Sequence, residues 1–335
     1  MASHVPAILE STLAPDLAST VEQAEQYFAQ AKADNTLRSY ASGWRDFVAW
    51  CATHHLGPAP ATPQTLVLYL TQRAREVTVS TLTSRLAAIR FFHDRLGHDS
   101  PTTDRVVRDV LSGIRRTKGT RPAQVQGMTR DVLERLLDAT GPRLIDRRNR
   151  ALLVVAYDVL GRRSELVALD VEDLFRAPDR SATVLIRRSK TDPSGTGVHL
   201  YLAPDTVAVV DDWLAAAGIA TGALFQSITK GGRVRARLSA DYVARVFKQM
   251  ALAAELPVEV VGKIAGHSAR VGAAQDMATH GIDLAAIMQA GRWKTPHMVG
   301  RYTEHISARR GAAARLARRQ ARHEPVEESS DGSRP

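Results

Sequence analysis

Cysteine is nearly absent from this chain. Cys51 is the single example among 335 residues, which excludes an intrachain disulfide and a cysteine-rich zinc site and fits a reducing cytoplasm. No apolar run approaches the roughly 18 residues of a membrane span. The first residues also lack a basic stretch followed by an apolar core, so no signal peptide is expected. There is no cluster with metal-ligand spacing, no G-x-x-x-x-G-K-[ST] loop and no repeat of solenoid period. Metal, cofactor and nucleotide-triphosphate chemistry therefore have no support in the sequence, and the expectation is a cytoplasmic protein without membrane contact. What is present in excess is positive charge: 45 Lys and Arg against 35 Asp and Glu, a formal charge of +10. A polyanion is the first partner to consider, because released counterions would drive its binding. The length suffices for two domains with proper cores.

Residues 1–17 read as a disordered lead. Helical periodicity over Leu17 to Ala33 is followed by a longer helix, capped by Asn35 or Thr36, in which Tyr40, Trp44, Phe47, Val48 and Cys51 recur at helix spacing. Gly57-Pro58-Ala59-Pro60 breaks it and Thr62-Pro63 starts another. Ser80 is expected to cap a helix through Leu96, and Thr102 or Thr103 to begin one ending near Arg116. Residues 18–116 thus form one α domain, with Leu82, Leu86, Ile89 and Phe92 as core. Ser80, Thr83, Ser84 and Arg90 share a polar face whose residue types suit base edges in a major groove. A plain solvated face accounts for them equally well. Residues 117–127 carry no apolar periodicity and three breakers, the mark of a linker.

A second domain over 128–322 opens with Thr129 as the cap of a helix through Leu137 and Asp146 as the cap of the next, which carries the apolar run Ala151 to Ala156. It leads into Leu160-Gly161-Arg162-Arg163-Ser164-Glu165-Leu166. Ala182 to Arg188 and Val198 to Leu202 read as a hairpin with a long tip, and Lys190 stands where that tip begins. Helices follow at Asp205 to Ala216 and Ser239 to Leu256. Residues 323–335 are acidic and polar and read as a disordered tail.

The richest stretch runs from Gly266 to Tyr302. It opens Gly266-His267-Ser268-Ala269-Arg270, reaches Gly291-Arg292-Trp293 and ends Pro296-His297-Met298-Val299-Gly300-Arg301-Tyr302. His267 and Arg270, three apart, share a helical face and reach one small anion. Gly281 and Gly291 read as helix stops, and Thr295 as an N-cap before Pro296 at the first helical position. Three short helices would so gather an imidazole, a guanidinium, an indole N–H and a phenol. Alternatively Trp293 and Tyr302 are core aromatics, while His267 and Arg270 lie on a solvated face.

A phosphodiester tests the constellation chemically, since it is a monoanion that takes on a second negative charge as a nucleophile attacks. Arg162 and Arg270 suit its non-bridging oxygens, for which a planar guanidinium fork is better matched than an ammonium. Tyr302 is a competent covalent nucleophile, but an ordinary phenol lies roughly 4 kcal/mol from its anion at pH 7. It needs a base and a positive field, which His267 and the arginines supply. Lys190 is the natural general acid for the leaving 5′ oxygen. Trp293 is suited to donate its indole N–H to a non-bridging oxygen and to pack against the tyrosine helix.

Arg162 within its Leu160–Leu166 motif, Lys190 after the first hairpin strand, His267-Ser268-Ala269-Arg270, then Trp293 and Tyr302 nine residues later together resemble the tyrosine site-specific recombinases and phage integrases. The similarity runs over nearly the whole chain. The run Gly266 to Ala274, Ile287-Met288-Gln289-Ala290-Gly291 and the tryptophan at 293 resemble the family's Cre-like branch. The resemblance implies a mainly α protein of two domains: an N-terminal helical, SAM-like core-binding domain and a C-terminal α+β catalytic domain with a small antiparallel sheet. It further implies attack of tyrosine on double-stranded DNA to give a 3′-phosphotyrosine, a homotetramer on two paired sites, exchange through a Holliday junction, and neither metal nor ATP. Glu165 matches an acidic position that supports the arginines.

There are departures from the pattern. Arg163 stands where the family usually has an apolar residue, and Arg162 is assigned to phosphate because it shares a helical face with Glu165. Arg292 replaces a small residue, as an added phosphate contact or a solvated side chain. Asp241 falls near where the Cre-like branch presents a base-reading arginine. Cre-like resolution or excision between short inverted-repeat sites is the expected function. Alternatives are an integrase acting in DNA integration, a type IB topoisomerase-like enzyme and a catalytically silent DNA-binding protein. An integrase with an extra arm-binding domain is disfavoured because few residues precede the first helix.

Overall fold

The computed structural model describes residue 23 and residues 32–121, 124–189, 192, 195–320 and 322. The chain divides into two units, residues 1–122 and 123–335. In the first, the described residues form α1 (Asp34–Thr53), α2 (Pro63–Arg73), α3 (Val79–Arg95) and α4 (Arg105–Lys118), with a 3-10 turn at Pro101–Thr103. The helix expected over Leu17 to Ala33 falls outside the described residues, but for Gln23, Lys32 and Ala33. The apolar period that begins at Tyr40 becomes α1, whose Phe47, Trp50 and Cys51 are buried with Leu66, Tyr69 and Leu70 of α2 and Leu82 and Ile89 of α3. Gly43 lets α1 and α3 close together, since a Cβ there would stand 3.1 Å from that of Ala88. Asp46 of α1 accepts from the Tyr69 hydroxyl at 2.6 Å and pairs with Arg73 of α2 and Arg85 of α3 at 3.3 and 3.1 Å. One carboxylate thus ties three helices.

Several helix starts differ from expectation. Ala33, rather than Asn35 or Thr36, precedes α1. Thr78, not Ser80, caps α3 by accepting from the Thr81 N–H, and Asp104, not Thr102 or Thr103, caps α4. Each region offers several competent capping side chains, and the start chosen at α3 is the one that turns Val79, Leu82 and Leu86 into the core.

The second unit comprises α5 (Arg130–Asp138), α6 (Leu144–Asp158), α7 (Arg163–Ala168), β1 (Leu174–Arg176), β2 (Ala182–Ile186), β3 (Val198–Leu202), α8 (Pro204–Ala217), β4 (Gln226–Ile228), β5 (Val234–Arg237), α9 (Ala240–Ala253), α10 (Val258–Lys263), α11 (Ser268–Thr279), α12 (Leu284–Gly291), α13 (Pro296–Arg310) and α14 (Ala312–Arg319). It is mainly helical with small antiparallel sheets, as expected. Its centre is α6, buried at every position from Ala151 to Ala156 and packed against α8 and α11. A helix apolar on all sides has to be surrounded. In the sheet ordered β1-β2-β3, Ala182, Val184 and Ile186 of β2 alternate inward and pair with Leu202, Leu200 and Val198.

The strands β1, β4 and β5 and the helix α10 were not expected; three- and four-residue strands are too short for a period-2 signal. Asp146 is no cap: α6 begins after Arg143, whose guanidinium reaches over to Asp146 at 2.8 Å. After Tyr302 the chain runs on in two helices broken at Gly311, and α14 buries none of its residues. No described helix is long and apolar enough to cross a membrane.

Candidate active site

The site grows out of the turn that ends α6. After Asp158 the chain passes through Val159 and Leu160, the latter at φ +46°, and enters α7 with Arg162 as N-cap residue. Arg162 and Glu165 meet as expected, though by another route. Arg162 is not helical; its backbone N–H donates to Glu165 Oε2 at 3.0 Å and its Nη1 to Oε1 at 2.5 Å. Arg163 turns away toward Asp241 on α9, 3.4 Å distant. That division of labour follows from cap geometry, which points successive side chains apart.

Arg270, on α11, is 4% exposed. Its Nη1 donates to the Leu160 carbonyl and its Nη2 to the Gly291 carbonyl, so one side chain joins the α6–α7 turn to the end of α12. The guanidinium lies over the Trp293 ring, 4.3 Å from its centroid, a cation–π contact strengthened by burial. Trp293 in turn leans on Tyr302 of α13, with centroids 5.8 Å apart and planes at 52°. Both aromatics belong to a small apolar cluster with Leu160, Ala273, Ile287 and Val299, so the core-aromatic alternative describes where they sit. It leaves two polar ends unused, because among the described residues neither the Trp293 indole N–H nor the Tyr302 hydroxyl has a hydrogen-bond partner. Burial, and then Arg162 and Arg292, lower the Arg270 pKa to about 9, and the side chain stays protonated at neutral pH. Tyr302 opposes that shift, which places its phenol within electrostatic reach of the guanidinium.

His267 and Arg270 do not share a helical face. His267 is the N-cap residue of α11, exposed, while Arg270 points inward. Although His267 as a whole is exposed, protein encloses part of its ring; that desolvation, then the charges of Arg163 and Arg270, holds its pKa below the ordinary 6.5, so the imidazole is neutral at pH 7 and free to accept a proton. Gly281 ends α11 at φ +79° as expected. Gly291 does not end α12 in this way; the left-handed residue is Arg292, at φ +54°. Gly291 is required for another reason, since a Cβ on it would lie 2.0 Å from the Trp293 ring. Thr295 and Pro296 stand at the N-cap and first position of α13, but the threonine side chain makes no cap bond.

Arg292 is not a solvated side chain. Its side chain is 9% exposed and taken up by protein partners, donating from Nη2 to Glu165 Oε2 at 2.5 Å and from Nη1 to the Val159 carbonyl at 3.1 Å. Burial alone would raise the Glu165 pKa; Arg292 and Arg162 reverse this and hold it below the usual carboxylate range. The sequence contains no signal for this pairing, because the two residues are far apart in the chain. Lys190 lies outside the described residues. Its hairpin is anchored by Arg187, which pairs with Asp170 and Asp173 at 2.9 and 2.7 Å. In the first unit, Ser80, Thr83, Ser84 and Arg90 are exposed on one face of α3. Arg90 pairs with Asp94 at 3.9 Å, and Thr83 donates to the Val79 carbonyl.

The arrangement thus forms two contact sets, Arg162–Glu165–Arg292 and Arg270–Trp293–Tyr302, tied together where Arg270 donates to the Leu160 and Gly291 carbonyls, in the setting of a helical domain with a small antiparallel sheet. The chain belongs to the phage integrase family, whose profile matches residues 126–310; the family's tyrosine recombinases cleave and rejoin DNA. Over 293 residues, 84% of this chain and 85% of the relative, it is 34% identical to the integrase/recombinase XerD homolog of Selenomonas ruminantium. Over 306 residues, 86% and 89% of the two chains, it is 30% identical to the recombinase Cre of Escherichia phage P1. Its fold is similar to that of the XerH site-specific recombinase bound to a palindromic difH substrate in a post-cleavage complex. There the TM-score is 0.65 at 17% identity, over 90% of this chain and 85% of that one.

Proposed function

We propose that the protein is a site-specific DNA recombinase in which Tyr302 attacks a DNA phosphodiester held by Arg162 and Arg270. The observation that carries this is the contact run Arg270–Trp293–Tyr302, which sets a phenol without a hydrogen-bond partner among the described residues beside a buried, protonated guanidinium. The tyrosine oxygen bonds to phosphorus as the bond to the 5′ oxygen breaks. The phenolic proton passes to neutral His267, and the 5′ oxygen takes a proton from Lys190, leaving a 3′-phosphotyrosine and a free 5′ hydroxyl. Arg162, Arg270 and the Trp293 N–H receive the charge that develops on the non-bridging oxygens. Reversal with a 5′ hydroxyl from a second duplex rejoins the strands without loss of the bond energy.

Two such sites would be held by four subunits and exchanged through a Holliday junction, resolving or excising DNA between short inverted-repeat sites as the Cre-like motifs suggest. An apolar groove of about 560 Å³ between α11, α12 and α13, lined by Ile282, Leu284, Ile287, Val299 and Ile306, supports a role for the tail. Leu316 of α14 is 52% exposed within its own chain. Ala313, Leu316 and Ala317 of one subunit would fill the groove of the next. In the first domain, Ser80, Thr83, Ser84 and Arg90 are the proposed DNA-facing residues, within the proposed limits 18–116, 117–127 and 128–322 for the two domains and their linker.

The experiment is Tyr302→Phe on duplex DNA carrying the site selected by the wild-type protein from a random-sequence pool. Affinity should remain within a few-fold of wild type, while no protein–DNA adduct survives a denaturing gel. An adduct formed by this variant would reject the assignment.

A further inference from the structure

Glu165 creates an electrostatic difficulty for the proposed reaction. It is 3% exposed, ionised, and paired with Arg162 through two hydrogen bonds. A buried carboxylate in direct contact with a phosphate-binding guanidinium cancels much of that guanidinium's field. Arg162 and Glu165 alone would leave Arg270 as the one uncompensated charge facing a phosphate that becomes doubly negative.

Arg292 changes that balance. Its Nη2 occupies the Glu165 oxygen that Arg162 reaches only through its backbone, so the carboxylate is shared between two guanidiniums. Three guanidiniums against one carboxylate leave a cluster with two net positive charges in a protein interior. The excess is felt inside the site, where Arg162 and Arg292 each help to depress the Arg270 pKa. Packing is a poor account of Arg292. It is a non-glycine residue at φ +54°, ψ +44°, where glycine would cost less, and its buried Nε has no hydrogen-bond partner among the described residues.

We infer that Arg292 is a charge-restoring positioning residue: it neutralises Glu165 so that Arg162 and Arg270 present two undiminished positive charges to the transferring phosphoryl group. Glu165 then acts as an orienting strut, fixing Arg162 by bidentate geometry while Arg292 removes its electrostatic penalty. The role is exerted through Glu165 and Arg162, and Arg292 itself touches no DNA. It rests on the assignment of Arg162 and Arg270 to the scissile phosphate made above.

The test uses the full chain and isosteric neutral replacements, with a nicked suicide duplex bearing the site selected by wild type. Single-turnover adduct formation and duplex affinity are measured for Arg292→Gln, Glu165→Gln and the double variant, each first checked for a cooperative thermal transition. Arg292→Gln lowers the cleavage rate constant at least tenfold, below the roughly 10²–10³-fold loss typical of a direct oxyanion donor, with duplex affinity changed less than threefold. Adding Glu165→Gln to it restores the net charge and recovers at least tenfold of the lost rate, a rescue that no packing role produces. A double variant no faster than Arg292→Gln overturns the inference, as does an Arg292→Gln protein that cleaves at the wild-type rate. If Arg292→Gln does not fold, the double variant, which buries no unpaired charge, decides alone: a rate more than a hundredfold below wild type overturns the inference. Failure of the phosphate assignment reads differently, as a wild-type rate in Arg162→Gln or Arg270→Gln.

Discussion

Replacing Gly291 by alanine adds one methyl group at the end of α12, a change that helix propensity alone would favour by roughly 0.5–1 kcal/mol. The geometry predicts the opposite. The new Cβ would stand 2.0, 2.1 and 2.5 Å from three carbons of the Trp293 ring, whereas carbon atoms rest at about 3.5–4.0 Å. The ring must therefore retreat by about 1.5 Å, and it cannot do so freely because Arg270 lies 4.3 Å from its centroid and Tyr302 packs beside it. Overpacking of this kind costs about 1–3 kcal/mol. The net loss of about 1–2 kcal/mol should lower the melting temperature by roughly 2–8 °C for a unit of this size. Misplacement of the tyrosine and its guanidinium neighbour by about 1 Å should slow adduct formation on the order of 100-fold. Gly300→Ala is the control: it lies on α13 with nothing within 4 Å of its added Cβ, so it should hold or slightly raise the melting temperature. A Gly291→Ala protein as stable and as fast as wild type would refute the tight Gly291–Trp293 packing and the reasoning built on it.

Further outcomes are expected. Lys190→Ala should block cleavage of ordinary DNA but not of a duplex whose 5′-bridging oxygen is sulfur, since sulfur leaves without protonation; equal failure on both would make Lys190 a phosphate-positioning residue. With His267 as proton acceptor, the neutral imidazole is the working form, so adduct formation should rise with pH along a limb whose midpoint lies below 6.5. Arg163→Ala removes a positive charge that disfavours protonation, so that midpoint should move upward; a limb that stays in place assigns it to another group. Truncation after His305 should leave binding of one half-site but abolish cooperative filling of the second, measured by gel shift at fixed salt because the lost arginines alter phosphate affinity. Cooperative filling by the truncated protein would remove α14 from subunit contacts.

Much of the molecule was legible in the residues themselves. The apolar period of α1 and the all-apolar run of α6 are local patterns with one stable outcome, because a face or cylinder without polar groups has to be covered. The order Arg162, Lys190, His267, Arg270, Trp293 and Tyr302 marked the family, and chemistry alone named a phosphate as the group those side chains suit. The pairing of Arg162 with Glu165 followed from their spacing, although the local geometry proved to be a helix cap. Only the folded chain decided the rest. Which threonine or aspartate begins a helix depends on the start that seals the core, as Thr78 does ahead of Ser80. Gly291 looked like a helix stop, and the packed structure gives that task to Arg292 while pressing Gly291 against Trp293. Most of all, Arg292 and Glu165 meet across 127 positions of sequence. Whether an arginine beside a helix end is solvated or buried against a carboxylate is set by long-range packing, which no local pattern encodes.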